Sequence, residues 1–272
     1  MTTTLEYMQT RYDVPFETIQ KFNQDGFARL SSVLDTARLR TYEAEITAQV
    51  KRLNTQHLPL EERDTYGKAF LQVSNLWQHS ALAKEFVFSK RLAAIAADLL
   101  GVKGVRLYHD QALYKESGGG ITPWHADQYY WPLSSNRTVT VWVPLQDTPL
   151  EMGPLEFAKG SQNYEFGRNL AISDESEAKL KVDLANANFP VDQAPYNLGD
   201  VSFHTGWTFH RAGANHSGLP RAVMTIIYMD QDIELVEPTN KPHEQELATW
   251  MPGTKVGEVP STALNPVLYS GN

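Results

Sequence analysis

Trp124-His125-Ala126-Asp127-Gln128 sets an imidazole and a carboxylate two residues apart. In an extended strand such side chains project to one face, where together they can grip a single metal ion. Pro123 biases Trp124 toward extended backbone, which favours that geometry. The chain has no cysteine, so thiolate ligands, disulfides and cysteine nucleophiles are excluded and a metal must be held by nitrogen and oxygen. A second histidine would complete a two-histidine, one-carboxylate triad, which occupies one face of Fe(II) and leaves three positions open for substrate and oxygen.

Downstream, His204, His210, His216 and His243 are the candidates. His243 sits beside Glu244 and Glu246 in a polar tail and reads as solvated, and His216 lies in the turn NHSGLP. WTFHRAGA and RAVMTIIYM flank that turn, so the expectation is an antiparallel hairpin with position 210 opposite 221 and His204 facing the apolar region of Ile227. On that reasoning His210 is the third ligand. Arg221 then stands near the metal, and its planar fork suits a carboxylate bound through two parallel hydrogen bonds.

Aromatic residues crowd these segments: Tyr129, Tyr130, Trp131, Trp207 and Phe209. Strand alternation carries Tyr129 to the face of His125 and Asp127, so Tyr129 and Trp207 are the candidate substrate contacts, while Trp131 and Phe209 read as core.

The elements that must hold these residues change character along the chain. Residues 35–54 read as an amphipathic helix capped by Asp35, with Leu39, Tyr42, Ile46, Val50 and Leu53 at spacings of three and four. A second helix is expected within 81–100, stopped by Gly101. From about 105 the pattern turns to short strands: VRLYHDQALY, TVTVWVPL, PLEFA, DVSFH and RAVMTIIYM, punctuated by turn residues. The expectation is one domain: helical support over about 1–104, a β core over about 105–230, and a tail at 231–272 that wraps the surface. Residues 162–197 are polar and irregular, as in a lid or mobile loop. The net charge of −8 opposes a nucleic-acid groove, which needs a basic face. No stretch approaches the length of a membrane span, and the N-terminus lacks a signal pattern, so a cytoplasmic protein acting on a small molecule is expected.

Three segments, WHADQYYWPL (124–133), TVTVWVPLQDTPLEMGPLEFAKGSQ (138–162) and GDVSFHTGWTFHRAGANHSGLPRAVMTIIYM (199–229), resemble the phytanoyl-CoA dioxygenase family of Fe(II)/2-oxoglutarate oxygenases. The resemblance covers the catalytic half; the N-terminal helices fit more loosely, and 162–197 and the tail hardly at all. It implies a mainly β fold with flanking helices, a double-stranded β-helix or cupin-like jelly roll. It implies Fe(II) on His125, Asp127 and His210, with 2-oxoglutarate and O2 as cosubstrates and Arg221 on the distal carboxylate of 2-oxoglutarate. Trp142 matches a position that lines the 2-oxoglutarate pocket, and Gln111 is a second such candidate. Hydroxylation with release of succinate and CO2 is the implied outcome, and retention of Asp127 disfavours halogenation. One departure is Val223, where many such enzymes carry a small hydroxyl residue two positions after the arginine. Two rivals remain: a cupin-like metalloenzyme that does not use 2-oxoglutarate, and a non-catalytic jelly-roll binding protein.

Overall fold

A computed structural model of the chain describes residues 3–271. In chain order it runs α1 (Thr4–Met8), α2 (Phe16–Asp25), β1 (Phe27–Leu30), α3 (Thr36–Leu53), α4 (Thr65–Ala69), β2 (Leu71–Ser74), α5 (Ala81–Val87), α6 (Lys90–Leu100) and β3 (Gly104–Tyr114). There follow β4 (Thr122–His125), β5 (Thr138–Pro144), β6 (Leu155–Ala158), α7 (Asp174–Asn186), β7 (Val191–Gln193), β8 (Val201–Thr205), β9 (His210–Ala212), β10 (Val223–Asp230), α8 (Lys241–Trp250) and β11 (Val267–Ser270).

The strands form two antiparallel sheets. The larger has the order β1-β8-β5-β10-β3-β11, with β2 also paired to β3, and the smaller the order β4-β9-β6-β7. Together they make the expected double-stranded β-helix. Its outer support is helical, because α3 and α6 are apolar on the faces they bury. Leu39, Tyr42, Ile46 and Val50 of α3 are all at most 2% exposed. Asp35 caps that helix by accepting from the Arg38 amide, as its sequence predicts. In α6 the run LAAIAADLL is buried almost throughout, and its alanines let the helix lie close on β3 and β5. The main core therefore sits on one side of the large sheet. Each fully buried leucine there contributes about 1.5–3 kcal/mol.

The helix expected within 81–100 is α6, which ends in LAAIAADLL at Gly101 and is capped by the Ser89 hydroxyl, with α5 preceding it. Three expectations need correction. The helical support also contributes strands, since β1 and β2 pair with β8 and β3. The segment 162–197 contains α7, a 13-residue helix whose Leu180 and Leu184 are buried beside Trp124 and Phe209. The tail does not merely wrap the surface: β11 extends the large sheet beside β3, and α8 packs against the turn that follows β4.

Candidate active site

The ligand strands face each other directly. β4 and β9 pair antiparallel in the small sheet with His125 opposite His210, and the two imidazole centroids lie 4.2 Å apart. Ala126 keeps extended dihedrals after the strand ends, so Asp127 returns to the His125 side before the chain turns into a 3-10 helix at Asp127–Tyr130. One donor atom each from His125, Asp127 and His210 falls within 4.8 Å of the others. Asp127 Oδ1 is 3.5 Å from His125 Nε2 and 3.7 Å from His210 Nε2.

Hydrogen bonding fixes which atoms are free. His125 Nδ1 lies 2.7 Å from the Pro123 carbonyl and His210 Nδ1 lies 2.9 Å from the Thr208 carbonyl. A carbonyl can only accept, so each Nδ1 carries the proton and each Nε2 presents a lone pair to the centre. Burial, with His125 and His204 nearby, holds His210 well below the usual imidazole range and so neutral. For Asp127 burial opposes ionisation, but the imidazoles of His210, His125 and His204 clustered around it outweigh that and hold the carboxyl well below its usual range. Two imidazoles presenting Nε2 and one carboxylate form the donor set of an open-faced Fe(II) site.

His204 is no ligand, though not for the expected reason. On β8 it stands opposite Thr140 of β5, not near Ile227. Its Nε2 lies 3.3 Å from Asp127 Oδ2, which also accepts from Thr140 Oγ1 at 3.1 Å. Residues 204 and 140 thus hold one carboxylate oxygen and turn the other toward the imidazoles. The sequence reading missed both, because it paired WTFHRAGA with RAVMTIIYM as a hairpin. In the fold β9 and β10 belong to different sheets, and Arg221 bridges Lys115, not His210.

Arg221 nonetheless reaches the same cavity, about 320 Å³ in volume, that contains the triad. Its side chain is 1% exposed and passes over Trp142 (5.5 Å) and Phe70 (5.9 Å). Nη1 donates to the Gly153 carbonyl, Nε has no partner, and among the described residues Arg221 forms no ion pair. Burial lowers it to about 9. An unpaired buried guanidinium calls for an anion. Gly153 can present that carbonyl because it adopts positive φ (65°) and lies against the backbone of Gly213, where a Cβ would collide.

The residues that follow His210, Arg211-Ala212-Gly213-Ala214-Asn215, brace the site. Arg211 bridges Glu156 and Glu177, Gly213 allows the close approach, and Asn215 Nδ2 donates to the carbonyls of Lys115, Glu116 and Leu219. Val223 is fully buried in a cluster with Trp142, so no hydroxyl is available at that position. The buried Thr122 hydroxyl, which lines the cavity without a protein partner, is a donor on the opposite sheet.

Trp142 and Gln111 also line this cavity, flanking Thr225 in the sheet. Tyr129 and Trp207 do not. The 3-10 turn ends the strand alternation at Asp127, which brings Tyr130 and Trp131 to the cavity and turns Tyr129 away. Tyr129 and Trp207 line an adjoining groove with Arg168 and His243, separated from the centre by Trp131. His243 is accordingly not a freely solvated residue: its Nε2 lies 2.9 Å from the Tyr129 carbonyl.

Two facing antiparallel sheets with an inward His-x-Asp and a distant histidine define the class of double-stranded β-helix iron oxygenases. The model of the phytanoyl-CoA dioxygenase family matches residues 22–223, and the chain belongs to that family, within the Fe(II)/2-oxoglutarate dioxygenase superfamily. Among curated proteins it is similar to a probable alpha-ketoglutarate-dependent hypophosphite dioxygenase from Stutzerimonas stutzeri, 22% identical over 76% of this chain and 66% of that protein. The chain therefore spans just under two thirds of that relative. Among solved structures it resembles the non-heme alpha ketoglutarate dependent carbocyclase SnoK from nogalamycin biosynthesis, with a TM-score of 0.76 and 23% identity over 98% and 99% of the two chains. It also resembles the epimerase SnoN in complex with Fe3+, alpha ketoglutarate and nogalamycin RO, with a TM-score of 0.71 and 25% identity over 93% and 98%. No described helix is long and apolar enough to cross a membrane.

Proposed function

We propose that the chain is an Fe(II)- and 2-oxoglutarate-dependent dioxygenase that hydroxylates a small organic molecule, the whole chain working as one catalytic domain. The observation that carries this reading is the buried, unpaired Arg221 in the cavity of the triad. A metalloenzyme without a keto-acid cosubstrate has no use for such a cation, and a non-catalytic binding protein has no use for the open-faced donor set.

His125, Asp127 and His210 would hold the iron, and Arg221 the distal carboxylate of 2-oxoglutarate. Trp142 would pack along the cosubstrate, with Gln111 and Thr225 on either side of it in the sheet. Iron with 2-oxoglutarate and O2 supplies the oxidising power, so that R–H, O2 and 2-oxoglutarate give R–OH, succinate and CO2. The protein's part is to position and to exclude water. Tyr66, Tyr130, Trp131 and Ile172 also line the cavity. Tyr129 and Trp207 would touch only a substrate long enough to extend past Trp131.

Anaerobic titration of the apoprotein with Fe(II) and then 2-oxoglutarate tests the reading. A visible charge-transfer band that needs both is expected, followed by substrate-stimulated succinate formation. Binding of Fe(II) without 2-oxoglutarate would instead favour a metalloenzyme of another kind.

A further inference from the structure

Beyond the metal, the cavity ends in a group that neither iron nor 2-oxoglutarate employs. Glu246, on α8, lines the cavity together with His109, Tyr66, Tyr130 and Trp131. Its carboxylate is aimed, not loose. Oε2 accepts from the Tyr108 hydroxyl at 2.7 Å, and Tyr108 is itself fully buried. α8 is seated by its cap, where Asn240 accepts from the His243 amide, and by the contact of His243 with the Tyr129 carbonyl. Trp250, one turn on, packs against the His109 ring at 4.5 Å.

The charges along this wall are one-sided. Among the described residues Arg221 is the only arginine lining the cavity and no lysine lines it. Arg221 also lies at the opposite end, six residues before Ile227, a separation of about 20 Å along an extended chain. Thr140, which holds Asp127, stands opposite Ile227. With the cosubstrate between Arg221 and the metal, the remaining wall offers one carboxylate, aromatic faces and a histidine that burial lowers to about 4 and so keeps neutral. Glu246 forms no ion pair among the described residues. Its burial raises it to about 7, despite the hydrogen bonds from Tyr108 and Trp250, and the Asp127 charge adds to that rise. A carboxyl so placed gains most from a cation that shares its enclosure.

Resting on the oxygenase reading above, we propose that the substrate carries a protonated amine, received by the Glu246 carboxylate and flanked by the faces of Tyr66, Tyr130 and Trp131. Ammonium groups are favoured by a carboxylate and by aromatic faces together, whereas an anionic substrate would meet Glu246 with no lysine or arginine beside it, Arg221 being taken up by the cosubstrate. The cavity volume is at the low end for small-molecule pockets, about 300–1,000 Å³, so the amine is small once the cosubstrate is in place.

The test uses protein loaded anaerobically with Fe(II) and 2-oxoglutarate and a matched set of probes: phenethylamine, 2-phenylethanol and phenylacetate. Binding is read as a perturbation of the charge-transfer band and of tryptophan fluorescence. Phenethylamine is expected to bind about tenfold or more tightly than the alcohol, with phenylacetate weakest. Glu246→Gln should bring the amine and the alcohol within about threefold of each other, and Glu246→Lys should reverse the order in favour of phenylacetate. Circular dichroism and an unchanged charge-transfer band establish that each variant is folded and loaded. Phenylacetate binding as well as the amine, an amine that fails to bind the loaded protein, or an unchanged preference in Glu246→Gln would overturn the inference. Absence of the charge-transfer band itself would instead count against the oxygenase reading.

Discussion

Replacing Arg221 by methionine separates a residue that serves the fold from one that serves a ligand. Methionine keeps an unbranched apolar stem over Trp142 and Phe70 but removes the charge and the fork. In the apoprotein burial depresses the guanidinium from above 12 to about 9, so its charged form is held at a cost of several kcal/mol. Against this stands the hydrogen bond to Gly153, whose loss leaves a buried carbonyl short of a partner at a cost of about 1–3 kcal/mol. The apoprotein should therefore be unchanged in stability or gain slightly, and each kcal/mol moves the melting temperature by about 2–4 °C in a domain of this order of size. Cosubstrate binding should behave oppositely. Truncating one partner of a buried charge pair costs about 2–5 kcal/mol, so affinity for 2-oxoglutarate should fall roughly 30- to 4,000-fold. Anaerobic titration of the charge-transfer band and thermal melts of the same preparations give both numbers. A variant that melts well below the parent while binding 2-oxoglutarate within threefold would show Arg221 to be a structural cation, and the reasoning would fail.

Three further outcomes follow from the geometry. Lys115 is fully buried, donates to the carbonyls of Gly120 and Gly213, and is lowered to about 6 by burial and by Arg221 and Arg211. Between about 6 and its ordinary 10.5 the unfolded chain binds the proton and the folded one does not, so apoprotein stability should rise with pH there. The slope is at most about 1.4 kcal/mol per pH unit, and chemical denaturation at pH 7.5 and 9.5 should show it flattened in Lys115→Met. His204→Ala or Thr140→Val should lower Fe(II) affinity by about 10- to 100-fold without removing a ligand, because Asp127 Oδ2 loses a holder; unchanged isothermal titration curves for both would refute that role. Glu177→Gln should loosen α7, since this one side chain accepts from the Trp124 amide and from Arg211. Faster hydrogen exchange over 174–186 at unchanged global stability is the expected sign, and unaltered exchange would show that Leu180 and Leu184 suffice.

How much could be read beforehand depended on whether the signal was local. His125 and Asp127 share a face because two intervening bonds are extended, and Pro123 and the strand pattern announce that. The amphipathic period of α3 and its Asp35 cap are equally local, and both stand. The hairpin that favours His210 in the sequence does not form; the strand order places His210 opposite His125, and that pairing is a matter of topology with no local signal. The same error hid His204, whose polar neighbour lies 77 residues earlier. Strand alternation would carry Tyr129 to the cavity, but the segment curls into a 3-10 turn at Asp127. α7 was hidden because its buried positions are few, Ser176, Leu180 and Leu184, on an otherwise polar surface. From the sequence Glu246 reads only as a charged neighbour of His243, because nothing in a polar tail announces that its helix lines a cavity built by residues more than a hundred positions earlier.

The triad is assembled from two mechanically different sources. Each histidine takes its tautomer from its own chain, from the carbonyl two residues before it, so the small sheet alone presents two ready imidazoles. Asp127 lies just past the end of β4 and would be free to rotate; it is fixed from the large sheet, by Thr140 of β5 and His204 of β8. A metal held by all three therefore ties the two sheets together across the cavity, and Arg221, entering β10, adds a second tie once a dicarboxylate spans the gap. Loading should then stiffen the contact between sheets more than either sheet internally. Hydrogen exchange should show it, with protection on adding Fe(II) and 2-oxoglutarate concentrated at 122–131 and 204–212 and little gained in α3 or α6. Protection spread evenly over the helices would mean that the metal acts on overall stability and not on this junction.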